Sequence, residues 1–355
     1  MADDVTAHPD RPAVAVVAIG RNEGERMVRC LEAALAQVGE ARLVVYVDSG
    51  STDGSVGRAR AMGVAVLELD LSLPFTAARA RNVGFDHVRR RLPHVGFVQF
   101  LDADCEMLPG WIAAAAATLR ADPTLAGVAG QLRERYPEAT IYNKLCHLEW
   151  QAPAGETRAV GGNAMMRAAA LAQAGGYDPG LIAGEEPELC VRLRDRGWRL
   201  WRLAEPMALH DAAMTRFAQW WRRAVRFGHA QTEVSRMHRD SPNRVWAKET
   251  RSTIAWSLGP PLLSLALIVA LAATCGGWWW LLGLLPLGLY GLLALKIVLW
   301  RRRAGDPAGD AALYAAFVTL AKFPQLVGML RYLRHRAAGR RSAIIEYKSR
   351  ARAGG

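Results

Sequence analysis

The stretch FVQFLDADCEMLPGWI, residues 97–112, runs from an apolar segment straight into Asp102-Ala103-Asp104. Phe97–Leu101 reads as a short buried strand. Two carboxylates two residues apart on extended chain point the same way. At the end of a strand such a pair can hold a hard divalent cation, Mg2+ or Mn2+, which in turn bridges diphosphate oxygens. An Asp-x-Asp triplet alone is equally at home in a solvated turn, so its position directly after a strand gives it weight.

The same pattern recurs upstream. Val14–Ile19 (VAVVAI), Leu43–Val47 (LVVYV) and Ala65–Leu69 read as strands; Glu25–Val38, Ser55–Met62 and Ala77–Arg91 read as helices. This alternation predicts a doubly wound, largely parallel sheet. Ligands bind such sheets beyond the carboxyl ends of the strands. Three polar clusters stand there: Arg21-Asn22-Glu23, Asp48–Asp53 and Asp102-Ala103-Asp104. No G-x-G-x-x-G follows the first strand and no G-x-x-x-x-G-K-[ST] occurs, which disfavours a Rossmann dinucleotide enzyme and a P-loop NTPase.

Other residues invite both a structural and a chemical reading. Asp48 either shapes a tight turn and helix cap or accepts hydrogen bonds from a nucleotide base or ribose. Gly161-Gly162-Asn163 is either an ordinary loop or a close approach of backbone to ligand. Glu185 and Glu186 precede a helix expected over Leu189–Arg196. There they complement the helix dipole or supply a general base. His210 is a structural histidine or completes a metal site.

Of the 355 residues 51% are hydrophobic and 22% charged, enough for a large core and incompatible with wholesale disorder. Five scattered cysteines without a C-x-x-C pair exclude a disulfide scaffold and a cysteine zinc site, and fit a reducing compartment. The opening MADDVTAHPDRP lacks the basic and apolar regions of a cleavable signal peptide. The net charge of +12 is uneven: 301–355 hold 12 Lys/Arg against 3 Asp/Glu, and 216–251 hold 9 against 3, whereas 1–215 are slightly acidic. Basic segments thus flank the most apolar part of the chain, which points to anionic membrane lipids as a partner and away from nucleic acid.

Ile254–Cys275 contains no charge, and Trp278–Trp300 only Lys296. Each run exceeds the ~20 helical residues that span a bilayer. Gly276-Gly277 between them predicts an antiparallel transmembrane hairpin. Lys248 and Arg251 before it and Arg301–Arg303 after it put both ends on the cytoplasmic side, with Trp278–Trp280 at the far interface. Ala311–Leu330, interrupted by Lys322 and Pro324, is expected to lie in the interface as an amphipathic helix; a third span is the alternative.

Taken together, VVAIGRNE (16–23), VDSGSTDGS (47–55), ARARNVG (78–84), FLDADCEMLPGWI (100–112), GGNAMMR (161–167), GGYDPGL (175–181) and GEEPELCVRLRDRGW (184–198) resemble glycosyltransferase family 2, with the GT-A fold. The resemblance covers roughly 12–215. It implies a GT-A catalytic domain over 12–215, after a polar tail (1–11). A basic interfacial linker (216–251), the transmembrane hairpin (252–300) and a basic interfacial helix and tail (301–355) would follow. It implies a nucleotide-sugar donor, usually UDP-linked, with Asp48, Arg79, Arg81, Asp102, Gly162 and Asn163 near it. Asp102, Asp104 and His210 would be ligands of Mg2+ or Mn2+. Glu186 would be the catalytic base beside Glu185.

Three departures stand out. Glu186 replaces the family's Asp, one methylene longer; Ser49 replaces the second acidic residue of VDDGSTD; and Gln219-Trp220-Trp221-Arg222-Arg223 has Arg where the Q-x-x-R-W of processive synthases has Trp. The expected function is an inverting transfer of one sugar to a lipid-linked acceptor. The expected place is the cell inner membrane, with the catalytic domain on the cytoplasmic face. A processive polysaccharide synthase subunit and an inactive membrane scaffold are the competing readings.

Overall fold

The computed structural model describes residues 13–37, 41–275, 277–340 and 344–346. The polar tail 1–11 and the end of the basic tail, 347–355, lie outside the described residues. Nine strands form one sheet: β1 (Ala13–Gly20), β2 (Ala41–Asp48), β3 (Ala65–Glu68), β4 (Val95–Asp102), β5 (Cys105–Met107), β6 (Leu125–Glu134), β7 (Gly155–Glu156), β8 (Ala164–Arg167) and β9 (Arg199–His210). Their order is β3-β2-β1-β4-β8-β6-β9-β5, with β7 paired to β9.

The sheet is mixed. β1 to β4 are parallel where they pair, and β8 runs antiparallel to both β4 and β6. β9 then pairs parallel with β6. This topology brings chemistry to one edge. β8 reverses direction beside β4, so the loop before it (Gly161–Asn163) sits at the carboxyl end of β4. β6 and β9 point the same way as β4, so Glu134 and His210, paired in register, reach that edge too.

Seven helices belong to this half: α1 (Glu25–Leu35), α2 (Ser55–Ala61), α3 (Ala77–Arg91), α4 (Trp111–Ala121), α5 (Ile141–Trp150), α6 (Ala168–Gln173) and α7 (Glu185–Asp195). Along β1 the side chains alternate between two cores. Val14, Val16 and Ala18 join α1 and α4 on one face, and Ala15, Val17 and Ile19 join α3 on the other. Burial on both faces explains the continuous apolar runs of the parallel strands. Thr76 caps α3, its hydroxyl accepting the Arg79 N–H at 3.1 Å, a contact typically worth about 1 kcal/mol. The cap fixes the phase of α3, so Arg81 enters the sheet edge. α7 starts earlier than the expected Leu189: Glu185 and Glu186 occupy its first turn, where carboxylates suit the dipole.

Four further helices follow: α8 (Phe217–Met237), α9 (Ala247–Thr274), α10 (Leu289–Arg303) and α11 (Ala308–Ala337), with a 3-10 segment over Trp279–Gly288 ahead of α10. Three segments are long and apolar enough to cross a membrane: Ala247–Thr274, Trp279–Arg303 and Ala308–Ala337. The sequence pattern favours an interfacial position for the last, yet by length and composition it qualifies as a span as well. Pro260 and Pro261 lie inside an uninterrupted α9. The basic stretch after residue 215 packs as α8 against α11, with Trp220 edge-on to Phe317 at 4.9 Å. Gly228 and Gly328 sit at this crossing. A Cβ on Gly228 would collide with the Gln325 backbone, and one on Gly328 with the Val225 carbonyl. Only glycine permits helices to approach this closely.

Candidate active site

At the carboxyl edge of the sheet a cleft of about 310 Å3 is lined by the loop after β1, Ser49, Arg81, Asp102, Asp104, Glu185, Glu186 and His210. Its centre is Arg81, whose side chain is 2% exposed. One Nη is 2.8 Å from Glu185; the other is 2.9 Å from Asp102 and 3.1 Å from Glu186. Burial works against the guanidinium charge, but Glu186, Asp102 and Glu185 outweigh it and hold Arg81 firmly protonated. The two glutamates are not equivalent. Glu185 is enclosed at 4% side-chain exposure, while Glu186 is 19% exposed and faces the cleft. Desolvation and the like charge of Glu185 raise the Glu186 pKa to about 7, against the pull of Arg81. A carboxylate poised near neutrality beside a cleft is suited to general-base work.

Gly162 makes the convergence possible. A Cβ there would strike Arg81 and stand 3.0 Å from both Asp102 Oδ2 and Glu186 Oε1. Asn163 ties the strands together, its Oδ1 accepting the Asp102 N–H at 2.8 Å and its Nδ2 donating to Cys105 Sγ at 3.3 Å.

His210 stands between two carboxylates, with Nε2 3.2 Å from Asp104 and Nδ1 3.1 Å from Glu134. A neutral imidazole has one N–H to give. If Nδ1–H goes to Glu134, the Nε2 lone pair faces Asp104, an arrangement that a shared cation resolves. Asp104, Cys105 and His210 present ligand atoms within 4.8 Å of one another. The Cys105 thiol donates to Asp104 Oδ1 at 3.5 Å, so the fitting set is one carboxylate and one imidazole, suited to Mn2+ or Mg2+ with phosphate oxygens completing the shell. Glu134 would act as the outer carboxylate that orients the histidine. Carboxylates outnumber the arginines that line the cleft (Arg21, Arg26, Arg81 and Arg226), so a cation at Asp104 and His210 would favour an anionic ligand there. Asp102 falls outside the Asp-Cys-His group; its carboxylate goes to Arg81.

The remaining expected residues sit elsewhere. The Asp48 carboxylate accepts from Tyr46, from the Gly50 and Ser51 N–H groups and from the Ser51 hydroxyl, at 2.5–3.1 Å. It braces its own turn, and Ser49 is the neighbour that reaches the cleft. Arg79 turns the other way on α3 and donates to the carbonyls of Asp70, Leu73 and Pro74. Gln219 accepts the Thr215 and Arg216 N–H groups and so caps α8.

Sequence reasoning missed Glu134, which nothing in the sequence links to His210; only the β6–β9 register does. It also missed the tail: Ile344 and Glu346 line the cleft, and Glu346 pairs with Arg21 at 2.6 Å.

Residues 15–172 match the family model of glycosyl transferase family 2. No curated protein matches the sequence. Among solved structures the chain is similar to the mannosyltransferase PcManGT from Pyrobaculum calidifontis in complex with GDP-Man and Mn2+. Identity is 22%, over 90% of this chain and 87% of that one, with a TM-score of 0.59. It is also similar to S. aureus TarS 1–349 in complex with UDP, at 14% identity over 86% and 90% of the two chains, with a TM-score of 0.50. At these identities the likeness concerns the fold. Residues 15–172 thus match glycosyl transferase family 2 on a sheet of the GT-A fold that these structures share, and three helices long and apolar enough to cross a membrane follow.

Proposed function

We propose that the protein transfers one sugar from a nucleotide-sugar, with inversion, to a lipid-linked acceptor at the cytoplasmic face of the cell inner membrane. The observation that carries this reading is the junction of Arg81, Asp102 and Glu186 beneath Gly162, beside the Asp104–His210 pair.

Glu186 accepts the proton of the acceptor hydroxyl. That oxygen attacks the anomeric carbon from the face opposite the diphosphate, the new glycosidic bond forms, and the nucleoside diphosphate departs with the electron pair of the broken bond. Glu186 then returns its proton to solvent. Arg81 stays charged throughout, aligning Glu186 and Asp102 so that neither rotates away during the step. Asp102 takes the donor's sugar-diphosphate side. Asp104 and His210 would hold Mg2+ or Mn2+, which when bound would neutralise charge developing on the leaving diphosphate.

Asp48 shapes the nucleotide-facing loop through its turn. Asn163 holds the strand end, and Arg79 secures the 70–74 loop at the rim. The basic flanks of the apolar helices support a cytoplasmic catalytic half next to an anionic leaflet.

A panel of nucleotide-sugars, each with Mn2+, Mg2+ or chelator, tests the reading by thermal stabilisation of the full-length protein in detergent. Metal-dependent stabilisation by one or a few donors is expected. No stabilisation by any donor, with no release of nucleoside diphosphate, would sink it.

A further inference from the structure

A second cavity, of about 330 Å3, adjoins the donor cleft, and Asp102 and His210 belong to the walls of both. Gly162 lines it as well, with Arg81 filling the space above the glycine. Glu186 lines the donor cleft, so a ligand in the second cavity would approach the base where the two cavities join, at Asp102 and His210. Its volume accommodates a sugar with one charged substituent.

Two kinds of side chain distinguish it. Trp150, at the end of α5, places its indole edge-on to His210 with ring centroids 4.4 Å apart, beside the reaction centre, where the apolar face of a pyranose can rest. The others are arginines. Arg223 comes from α8 and pairs with Glu149 at 2.6 Å. Arg202 comes from β9; its one hydrogen bond runs from Nη1 to the Gly130 carbonyl at 3.2 Å, and among the described residues it forms no ion pair. Desolvation pulls its pKa down with no carboxylate to offset it. The two carboxylates that line the cavity, Asp102 and Glu149, pair with Arg81 and Arg223, and a partly buried guanidinium left without an ion pair of its own is costly unless an anion arrives with the ligand. Its planar fork matches phosphate oxygens in pairs.

We propose that this cavity is the acceptor subsite and that it takes an acceptor bearing a phosphate or diphosphate group, held by Arg202 with Arg223 as a second cation. The proposal rests on the glycosyl-transfer reading above. The volume limits the anion to within about a sugar's length of the attacked hydroxyl. A phosphate can come from a lipid carrier or from a soluble glycosyl phosphate, and the experiment separates them.

The full-length protein in detergent is given the nucleotide-sugar that stabilises it most, and release of nucleoside diphosphate is followed with four probes. These are farnesyl glucosyl phosphate, farnesyl glucoside, glucose 1-phosphate and methyl glucoside. Each phosphorylated probe is expected to outperform its uncharged counterpart; preference for farnesyl glucosyl phosphate assigns a lipid source, and preference for glucose 1-phosphate a soluble one. Arg202→Ala is expected to raise KM for the preferred probe on the order of 10–100-fold, and Arg202→Lys to recover part of that loss. Equal turnover of charged and uncharged probes by the wild-type protein overturns the proposal, as does an unchanged KM in Arg202→Ala. Donor Kd is read in the same samples. Intact donor binding with no phosphate preference strikes this proposal alone, whereas no donor binding by the wild-type protein overturns the underlying reading and the proposal together.

Discussion

The sheet and the C-terminal helices are built inside out with respect to each other. In the sheet half the apolar side chains are enclosed, and charge gathers at one edge, around Arg81 and His210. In the helical half Leu262, Val269 and Leu285 are 58–71% exposed, while Gln231 and Thr253 are fully enclosed. Gln231 donates to Thr253 at 2.9 Å, Thr253 donates to Gln325 at 3.0 Å, and the Ser257 hydroxyl donates to the Lys322 carbonyl at 2.7 Å. Water as solvent rewards enclosing apolar surface. Lipid does not distinguish one apolar face from another, so close backbone contact and interhelical hydrogen bonds organise those helices. One chain therefore obeys two packing rules, and each rule can be broken separately.

The charged edge breaks hardest. Glu186→Gln keeps shape and removes the base, so turnover is expected to fall about 10²–10⁴-fold while donor Kd stays within a few-fold. Steady-state kinetics beside a donor titration check this, and unchanged turnover would refute the assignment.

The pH profile sharpens the same point. The base acts ionised, and its pKa is raised, so kcat/KM should fall as pH drops through about 7. The decline is about tenfold per pH unit below that midpoint. Glu185→Gln removes the like charge that raises the pKa and should move this limb to lower pH; a limb that stays in place would show that desolvation alone sets it.

Glu134→Gln probes the cation side. Loss of the carboxylate that orients His210 should weaken Mn2+ activation on the order of 10–100-fold, read by titrating Mn2+ into the activity assay. An unchanged Mn2+ response would remove His210 from the site.

The helical rule is tested at its closest contact. Gly328→Val forces α8 and α11 apart, and overpacking of this kind costs about 1–3 kcal/mol. The expected outcome is a lower Tm in detergent. A wild-type Tm would mean that the crossing is not a stabilising contact.

The smallest effect is at the tail. The Arg21–Glu346 pair is half exposed, so its worth is below about 1 kcal/mol after screening. Glu346→Gln should free Arg21 for donor phosphates and lower donor KM by no more than about fivefold. A raised KM would instead make the tail part of the donor site.

Much of this was legible beforehand, for identifiable reasons. Strands enclosed on both faces leave unbroken apolar runs, so β1, β2 and β4 were found within one or two residues, and Ala77–Arg91 was found with its bounds. Arg81 was named with Arg79 as a further candidate; two residues along a helix turn the chain by roughly 200°, so the two face opposite ways, and the phase depends on the Thr76 cap. Asp48 was legible as a turn residue or a ligand contact; the Ser51 hydroxyl and two backbone N–H groups occupy its oxygens. The start of α7 was placed late because Pro187 interrupts the apolar spacing, although proline is well tolerated in a first turn.

By itself the sequence determined the alternation of strand and helix, the acidic clusters at strand ends, the apolar segments and their basic flanks. These are local patterns, set by side-chain periodicity and by the solvent each face meets. Only the tertiary structure decided which carboxylates share Arg81, that Glu134 orients His210, and that Arg202 lines a cavity while forming no ion pair among the described residues. Those pairings join residues up to 104 positions apart, and they arise from sheet register and helix phase, which no local pattern contains.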